Sequence, residues 1–122
     1  MRGELTDGFP TVFSVGLPTL ERYLRSGCSL NDASALTLLA LIAQTDDTNM
    51  IHRGGLNAAN ARKAEAAALQ ALPTSEILAA LPTLDAAYRA QHLSPGGCAD
   101  LLALSLAIHF AAADGLIKPE TI

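Results

Sequence analysis

Two helix-forming residues dominate this chain, because 23 alanines and 21 leucines occur among its 122 residues. Both have high intrinsic helix propensity, whereas the β-branched and aromatic residues that strands favour are sparse. The hydrophobic fraction of 50% is too high for a disordered chain, and the length suits one domain with a core of its own. We therefore predict a single all-α domain over residues 1–122, with five or six helices.

The charge and the cysteines exclude several classes of protein. The formal net charge is −4 and the eight basic residues are scattered, with Arg62-Lys63 the only adjacent pair. Binding to bulk nucleic acid needs a basic stripe, so we expect no nucleic-acid partner. Cys28 and Cys98 lack zinc-site spacing, which favours reduced thiols in a cytoplasmic protein. We see no signal peptide, and the longest apolar stretch, 101–113, is shorter than the about 20 residues of a membrane span.

Capping residues and apolar spacing predict where the helices begin and end. Residues 1–16, with several glycines and a proline, are expected to be irregular. A helix that is apolar on most sides should begin at Ser29 or Asn31 and lie at the centre of the fold. The other predicted helices cover residues 18–25, with Gly27 as C-terminal cap, 57–72, 76–81, a short stretch from Pro82 to Gln91, and a last helix ending at Asp114-Gly115.

The first candidate functional segment, residues 45–55, follows the apolar helix abruptly. If that helix continues to Arg53, then Asp46, Asn49 and Arg53 lie on one face with His52 beside it. Such a set suits a metal ion, a ribose or a phosphate. The following pair Gly54-Gly55 would end the helix and let a ligand or backbone approach. The alternative is a solvated helix end with Asp–Arg pairing.

The second candidate segment is Ser94–Gly97, where serine and proline precede two glycines. Each glycine weakens a first helical turn by about 1 kcal/mol relative to alanine. A helix start without side chains leaves its N–H groups open to an anion, and Asp100 lies one turn further on. The alternative is a plain turn with a capping serine.

We expect segments 45–55 and 92–100 to lie together in the fold. A shared site requires Asp47 and Gly96 to be less than about 20 Å apart. Three other charged residues, Arg62, Lys63 and Glu65, are interpreted as a solvated helix face, and His109 as a satisfied core or partner-facing histidine.

Together these motifs resemble the triphosphoribosyl-dephospho-coenzyme A synthase family. The resemblance runs from one end of the chain to the other. It is carried by Arg2-Gly3-Glu4 with Gly8-Phe9-Pro10, by Asp46-Asp47-Thr48-Asn49 running into His52-Arg53-Gly54-Gly55, by Leu93-Ser94-Pro95-Gly96-Gly97, and by Ala99-Asp100-Leu101-Leu102.

The resemblance implies an all-helical transferase whose product is the precursor of the prosthetic group of citrate lyase or malonate decarboxylase. ATP and 3′-dephospho-coenzyme A are the implied substrates. The triphosphoribosyl group is joined to the ribose 2′-hydroxyl of dephospho-coenzyme A, and adenine leaves. Mg²⁺ is the expected cofactor, because a triphosphate needs neutralising.

Roles for individual residues follow as a hypothesis from the residues and the resemblance together. Asp46 and Asp47 would bind magnesium or act as base and charge-stabilising groups, and His52 would take part in catalysis. The residues expected to bind the nucleotide substrates are Arg2, Glu4, Thr48, Asn49, Arg53, Gly54, Gly55, Ser94, Gly96, Gly97 and Asp100.

The chain departs from the family in length, because it resembles only the C-terminal half of its members. Cys98 also stands where a small residue such as serine is expected. We expect the chain to act with a missing N-terminal half, with a partner chain or as a homo-oligomer, and without a membrane. The alternatives are a non-catalytic helical interaction subunit, a truncated homologue that binds nucleotide or a partner chain, and a non-specific nucleotide-binding domain.

Overall fold

The computed structural model describes residues 10–115, apart from the side chains of Thr48, Asn49 and Arg53. This part of the chain holds six helical segments and no strand, which confirms the all-α class. They are a π-helical turn over Val12–Gly16 and five α-helices: α1 (Leu17–Arg25), α2 (Leu30–Gln44), α3 (Thr48–Leu69), α4 (Thr74–Ala90) and α5 (Gly96–Ala113).

The beginning and end of α1 show one wrong prediction and one confirmed prediction. The expectation of an irregular start is wrong from residue 10 onward, because the π-helical turn buries Val12 completely against the other helices. The predicted cap at Gly27 is confirmed. Gly27 has a φ of 100°, and the N–H of Cys28 donates to the carbonyl of Tyr23 at 3.1 Å, as in a Schellman motif.

The helix α2 lies at the centre of the fold and contacts each of the other five helical segments. Of the two predicted N-cap candidates, Ser29 is the cap, since the Ser29 hydroxyl accepts the N–H of Asp32 at 3.1 Å. Leucine and isoleucine side chains on several sides of the helix are buried, among them Leu36, Leu39 and Ile42. The prediction of a central helix is therefore confirmed.

Of two other predicted boundaries, one is confirmed and one is wrong. The predicted helix end at Gly54-Gly55 and helix start near residue 57 agree with the structure, because α3 consists of two helical parts joined at Gly55, whose φ of 85° and ψ of 167° are not helical. The break expected at Pro82 is absent from α4, which is one helix over Thr74–Ala90. Pro82 lies on an exposed side, where water can replace the hydrogen bond that proline cannot donate.

The helix α5 has an unusual combination of hydropathy and exposure. It is long and apolar enough to cross a membrane, with 18 residues and a mean hydropathy of 1.5. The prediction that the apolar stretch 101–113 is too short for a membrane span therefore does not hold for the whole helix. Only 17% of this stretch is buried inside the chain. Two contacts hold it to the N-terminal elements: Ser105 packs on Gly16, and His109 Nδ1 lies 3.2 Å from Glu21 Oε2. The latter contact confirms a satisfied histidine.

The contact between Gly16 and Ser105 yields a test of the packing. A Cβ at Gly16 would collide with Ser105 Oγ but would lie 3.4 Å from Ser105 Cβ. We expect Gly16→Ala to lower the free energy of unfolding by about 1–3 kcal/mol, because the added methyl overpacks the junction. Adding Ser105→Ala should restore part of the loss in a double-mutant cycle by urea titration. Equal stability of Gly16→Ala and the unchanged chain would refute this packing.

Candidate functional site

The first polar segment is a break between two helices. α2 ends at Gln44 and Thr45 is extended, with φ −129° and ψ 161°, so Asp46 and Asp47 precede the start of α3. The condition that the apolar helix continues to Arg53 is therefore not met, and Asp46 does not share a helix face with Asn49 and Arg53. Both carboxylates directly precede α3 and therefore lie at the positive end of its dipole, which favours their negative charge.

Asp47 is buried, with 4% of its surface exposed, and its carboxylate binds backbone amides of two helices. Its Oδ1 accepts the N–H of Met50, in the first turn of α3, at 3.2 Å. The N–H groups of Gly97 and Cys98, in the first turn of α5, donate to Oδ1 at 3.3 Å and to Oδ2 at 2.9 Å. One carboxylate thus caps both helices, and the predicted proximity of the two polar segments is confirmed.

The glycines of the second segment are explained by this cap. A Cβ at Gly97 would lie only 3.2 Å from Asp47 Oδ1 and 3.3 Å from Asp47 Cγ. The anion expected at the start of α5 is therefore the Asp47 carboxylate of the chain itself. Next to it, Thr45 Oγ1 lies 3.1 Å from Cys98 Sγ, so the thiol belongs to the same buried junction.

A second contact joins the two segments at Gly54. A Cβ there would collide with the side chain of Leu93, which directly precedes Ser94. Gly54 therefore lets the first turns of α3 pack closely on the loop between α4 and α5. Gly55 has open space around it, so its conformational freedom and not steric room explains glycine there.

Asp46 lies in a different environment from its neighbour Asp47. Its side chain is 71% exposed, and Oδ1 lies 2.8 Å from Lys63 Nζ on α3. His52 and Asp100 are also exposed, while Ser94 is half-buried. The side chains of Thr48, Asn49 and Arg53 lie outside the described atoms, as do Arg2 and Glu4 outside residues 10–115.

Two polar residues near the junction were missed or misread from the sequence. Arg62 was interpreted as solvated, but its side chain is only 17% exposed and lies 3.4 Å from Glu65. Tyr88 is 7% exposed, and within residues 10–115 its hydroxyl has no hydrogen-bond partner. A signal was present for Arg62, because it falls on the helical stripe of the buried Ala59 and Ala66.

An open, mainly apolar pocket of about 280 Å³ lies between α2 and α4. Its lining residues include Leu38 of α2, Leu84 and Tyr88 of α4, and Ser94 and Pro95, which directly precede α5. The candidate site therefore has a concave surface beside it, although the carboxylates themselves do not line that pocket.

The described residues do not make a metal centre by themselves. No group of three or more His, Cys, Asp or Glu side chains close enough to hold an ion occurs among residues 10–115. Both carboxylate oxygens of Asp47 accept backbone N–H groups, so direct ligation would compete with the helix caps. Magnesium binding by Asp46 and Asp47 stays a prediction.

The double cap predicts unequal roles in stability for the two acids. We expect Asp47→Asn to lower the free energy of unfolding by about 2–4 kcal/mol, since an amide group would present a donor to a backbone donor in a buried position. The matched change Asp46→Asn should cost less than about 1 kcal/mol, because its ion pair is exposed. Urea titration of both variants tests this, and equal losses would contradict the double cap.

The environment of Tyr88 predicts a pH dependence at high pH. Burial, assisted by the Glu65 carboxylate and opposed by Arg62, raises the pKa of Tyr88 to about 12. The unfolded chain loses this proton near pH 10 and the folded chain near 12. The free energy of unfolding should therefore fall between these values, by at most about 1.4 kcal/mol per pH unit.

Tyr88→Phe is the matched control for this titration. It should remove that part of the alkaline loss and leave stability at pH 7 equal or higher, because the hydroxyl is buried without a partner in the described part of the chain. The same alkaline slope in both proteins, measured by chemical denaturation, would rule out Tyr88 as the titrating group.

Comparison with known proteins supplies the family. Residues 1–117 match the family described as ATP:dephospho-CoA triphosphoribosyl transferase. A probable 2-(5″-triphosphoribosyl)-3′-dephosphocoenzyme-A synthase of Streptococcus equi subsp. zooepidemicus is 40% identical over 111 residues, covering 89% of this chain and 37% of the relative. A protein of the same name from Pectobacterium carotovorum is 41% identical over 112 residues, covering 91% and 36%.

The chain spans a little over a third of the length of these relatives. No solved structure gives a significant match. The match to the family nevertheless covers nearly all of this chain, including both polar segments that meet at Asp47. The chain therefore belongs to the ATP:dephospho-CoA triphosphoribosyl transferase family.

Proposed function

We propose that the chain is one part of a transferase that joins the triphosphoribosyl group of ATP to the ribose 2′-hydroxyl of 3′-dephospho-coenzyme A. The observation that carries this proposal is the junction at Asp47, where two motifs 50 residues apart are bound to each other. Membership of the family supports the substrates. The acid-rich and glycine-rich segments then form one composite surface and not two separate loops.

The reaction breaks the bond between adenine and the anomeric carbon of the ATP ribose. The oxygen of the incoming 2′-hydroxyl forms the new bond to that carbon and gives up its proton, while the departing adenine takes up a proton. Positive charge develops on the sugar in the transition state, as in glycoside hydrolysis. A carboxylate next to the anomeric carbon and a proton acceptor for the hydroxyl are the groups such chemistry needs.

Asp46 is the better candidate for direct contact with substrate, because its carboxylate is exposed beside the start of α3. Lys63 would hold the Asp46 carboxylate in place. His52, exposed on α3, is proposed to carry a proton. Asp47 is assigned a positioning role, since both of its oxygens already bind amides of α3 and α5.

Several of the substrate-binding residues predicted from the sequence keep their proposed roles. Asn49 and Arg53 would orient the ribose and the phosphates, and Ser94, Gly96 and Asp100 would border the same surface. Phosphate binding to the N–H groups of Gly97 and Cys98 is not part of the proposal, because Asp47 occupies those donors. Magnesium would accompany the triphosphate, and no step is assigned to an ion held by this chain.

A second candidate function is a helical subunit without chemistry of its own. It is favoured by the exposed apolar surface of α5. In the first proposal the remaining part of the family fold, located with this chain in the cytoplasm, completes the site. In the second proposal that remaining part carries out the whole reaction, and this chain contributes only packing.

Adenine release from ATP distinguishes the two functions. We expect release only when dephospho-coenzyme A and the complementary part of the family fold are present with this chain. Asp46→Asn should lower the rate by about 100-fold or more, as removal of a positioned charged group typically does. Chromatography of free adenine is the measurement.

The control for this assay is Glu76→Gln, which also removes an exposed carboxylate near a helix N-terminus but lies in the first turn of α4. It should leave the rate unchanged. A fully active Asp46→Asn protein would remove Asp46 from the mechanism, and ATP binding without any dependence on dephospho-coenzyme A would favour a non-specific nucleotide-binding domain.

A further inference from the structure

One face of α5 is apolar and exposed along most of the helix. Between Asp100 and Asp114 the sequence has no Asp, Glu, Lys or Arg. Ala103, Ala107 and Phe110 are exposed, and Phe110 alone has 45% of its surface accessible. Their spacing of four and three residues places them on one side of the helix. This outer face of α5, defined by Ala103, Ala107 and Phe110, is a strip about 10 Å long and not a set of isolated apolar residues.

The opposite side of α5 is tied to the chain itself. The N–H groups of Gly97 and Cys98 bind Asp47, and His109 pairs with Glu21 on α1. Insertion of α5 into a bilayer would require these polar contacts to be broken or carried into hydrocarbon, at a high cost. Although α5 has the length and hydropathy of a membrane span, its contacts therefore favour a protein partner.

We propose that the outer face of α5 packs against the part of the family fold that the relatives carry outside their match to this chain. This inference rests on the proposed function, in which that part completes the enzyme. The relatives have nearly two thirds of their length outside the match, since this chain covers 36–37% of them. The small side chains at Ala103 and Ala107 allow a partner helix to approach closely.

Co-expression tests the surface by binding and not by turnover. The full chain is produced together with the unmatched part of the Streptococcus equi or Pectobacterium relative, and light scattering gives the composition of the complex. We expect a one-to-one complex, with affinity lowered at least tenfold by Ala107→Glu. Phe110→Ser, a second change on the same face, should also weaken binding.

The control is Ala86→Glu, the same change at an exposed alanine of α4, which should leave binding intact. Circular dichroism melting verifies that each variant is folded. The proposal is overturned if neither relative's segment is captured, if Ala107→Glu binds normally, or if the face instead forms a dimer of this chain or binds phosphatidylglycerol vesicles. A complex that forms through α5 but releases no adenine would contradict the proposed function and leave this inference standing.

Discussion

The fold of the site depends on one buried carboxylate that serves two helices. The first turn of a helix has N–H groups without intrahelical partners, and burial makes each unsatisfied group costly. Asp47 meets this requirement for α3 and α5 at once, and its negative charge lies at the positive ends of both dipoles. The two segments with family motifs consequently share one structural centre.

The two adjacent acids therefore have different environments despite identical chemistry. Asp47 is surrounded by backbone donors in the interior, whereas Asp46 projects outward to Lys63. A group that fixes geometry benefits from burial and saturated hydrogen bonds, whereas a group that contacts substrate must be accessible to it. This arrangement is consistent with one acid holding the frame in which the other meets the substrate.

Local signals in the sequence were sufficient for features that local chemistry decides. Ser29 and Gly27 were recognised as caps because their side-chain or backbone properties act within one turn. The break at Thr45 was missed because Asp46 and Asp47 suit either the end of one helix or the start of the next, and only the contact with α5 decides between them. Pro82 was read as a break because its exposure on α4 is a tertiary property.

The polar surroundings of Tyr88 were beyond sequence reasoning for a related reason. Arg62 and Glu65 lie on α3 and Tyr88 lies on α4, so their proximity follows only from how the helices pack. The proximity of segments 45–55 and 92–100 was inferred from chemistry alone, because both had the composition of a binding loop. The way in which the two segments contact each other was not inferred, because it depends on a hydrogen bond between Asp47 and Gly97, which are 50 residues apart in the sequence.

The position of Cys98 has a practical consequence. Its thiol is 1% exposed and lies beside Thr45, and its own N–H is one of the donors bound by Asp47. A thiol-specific reagent can reach the Cys98 thiol only when the N-terminal ends of α3 and α5 separate. The half-buried Cys28, in contrast, follows the C-terminal end of α1. The chain thus carries a native chemical reporter for transient opening of the joint between its two motifs.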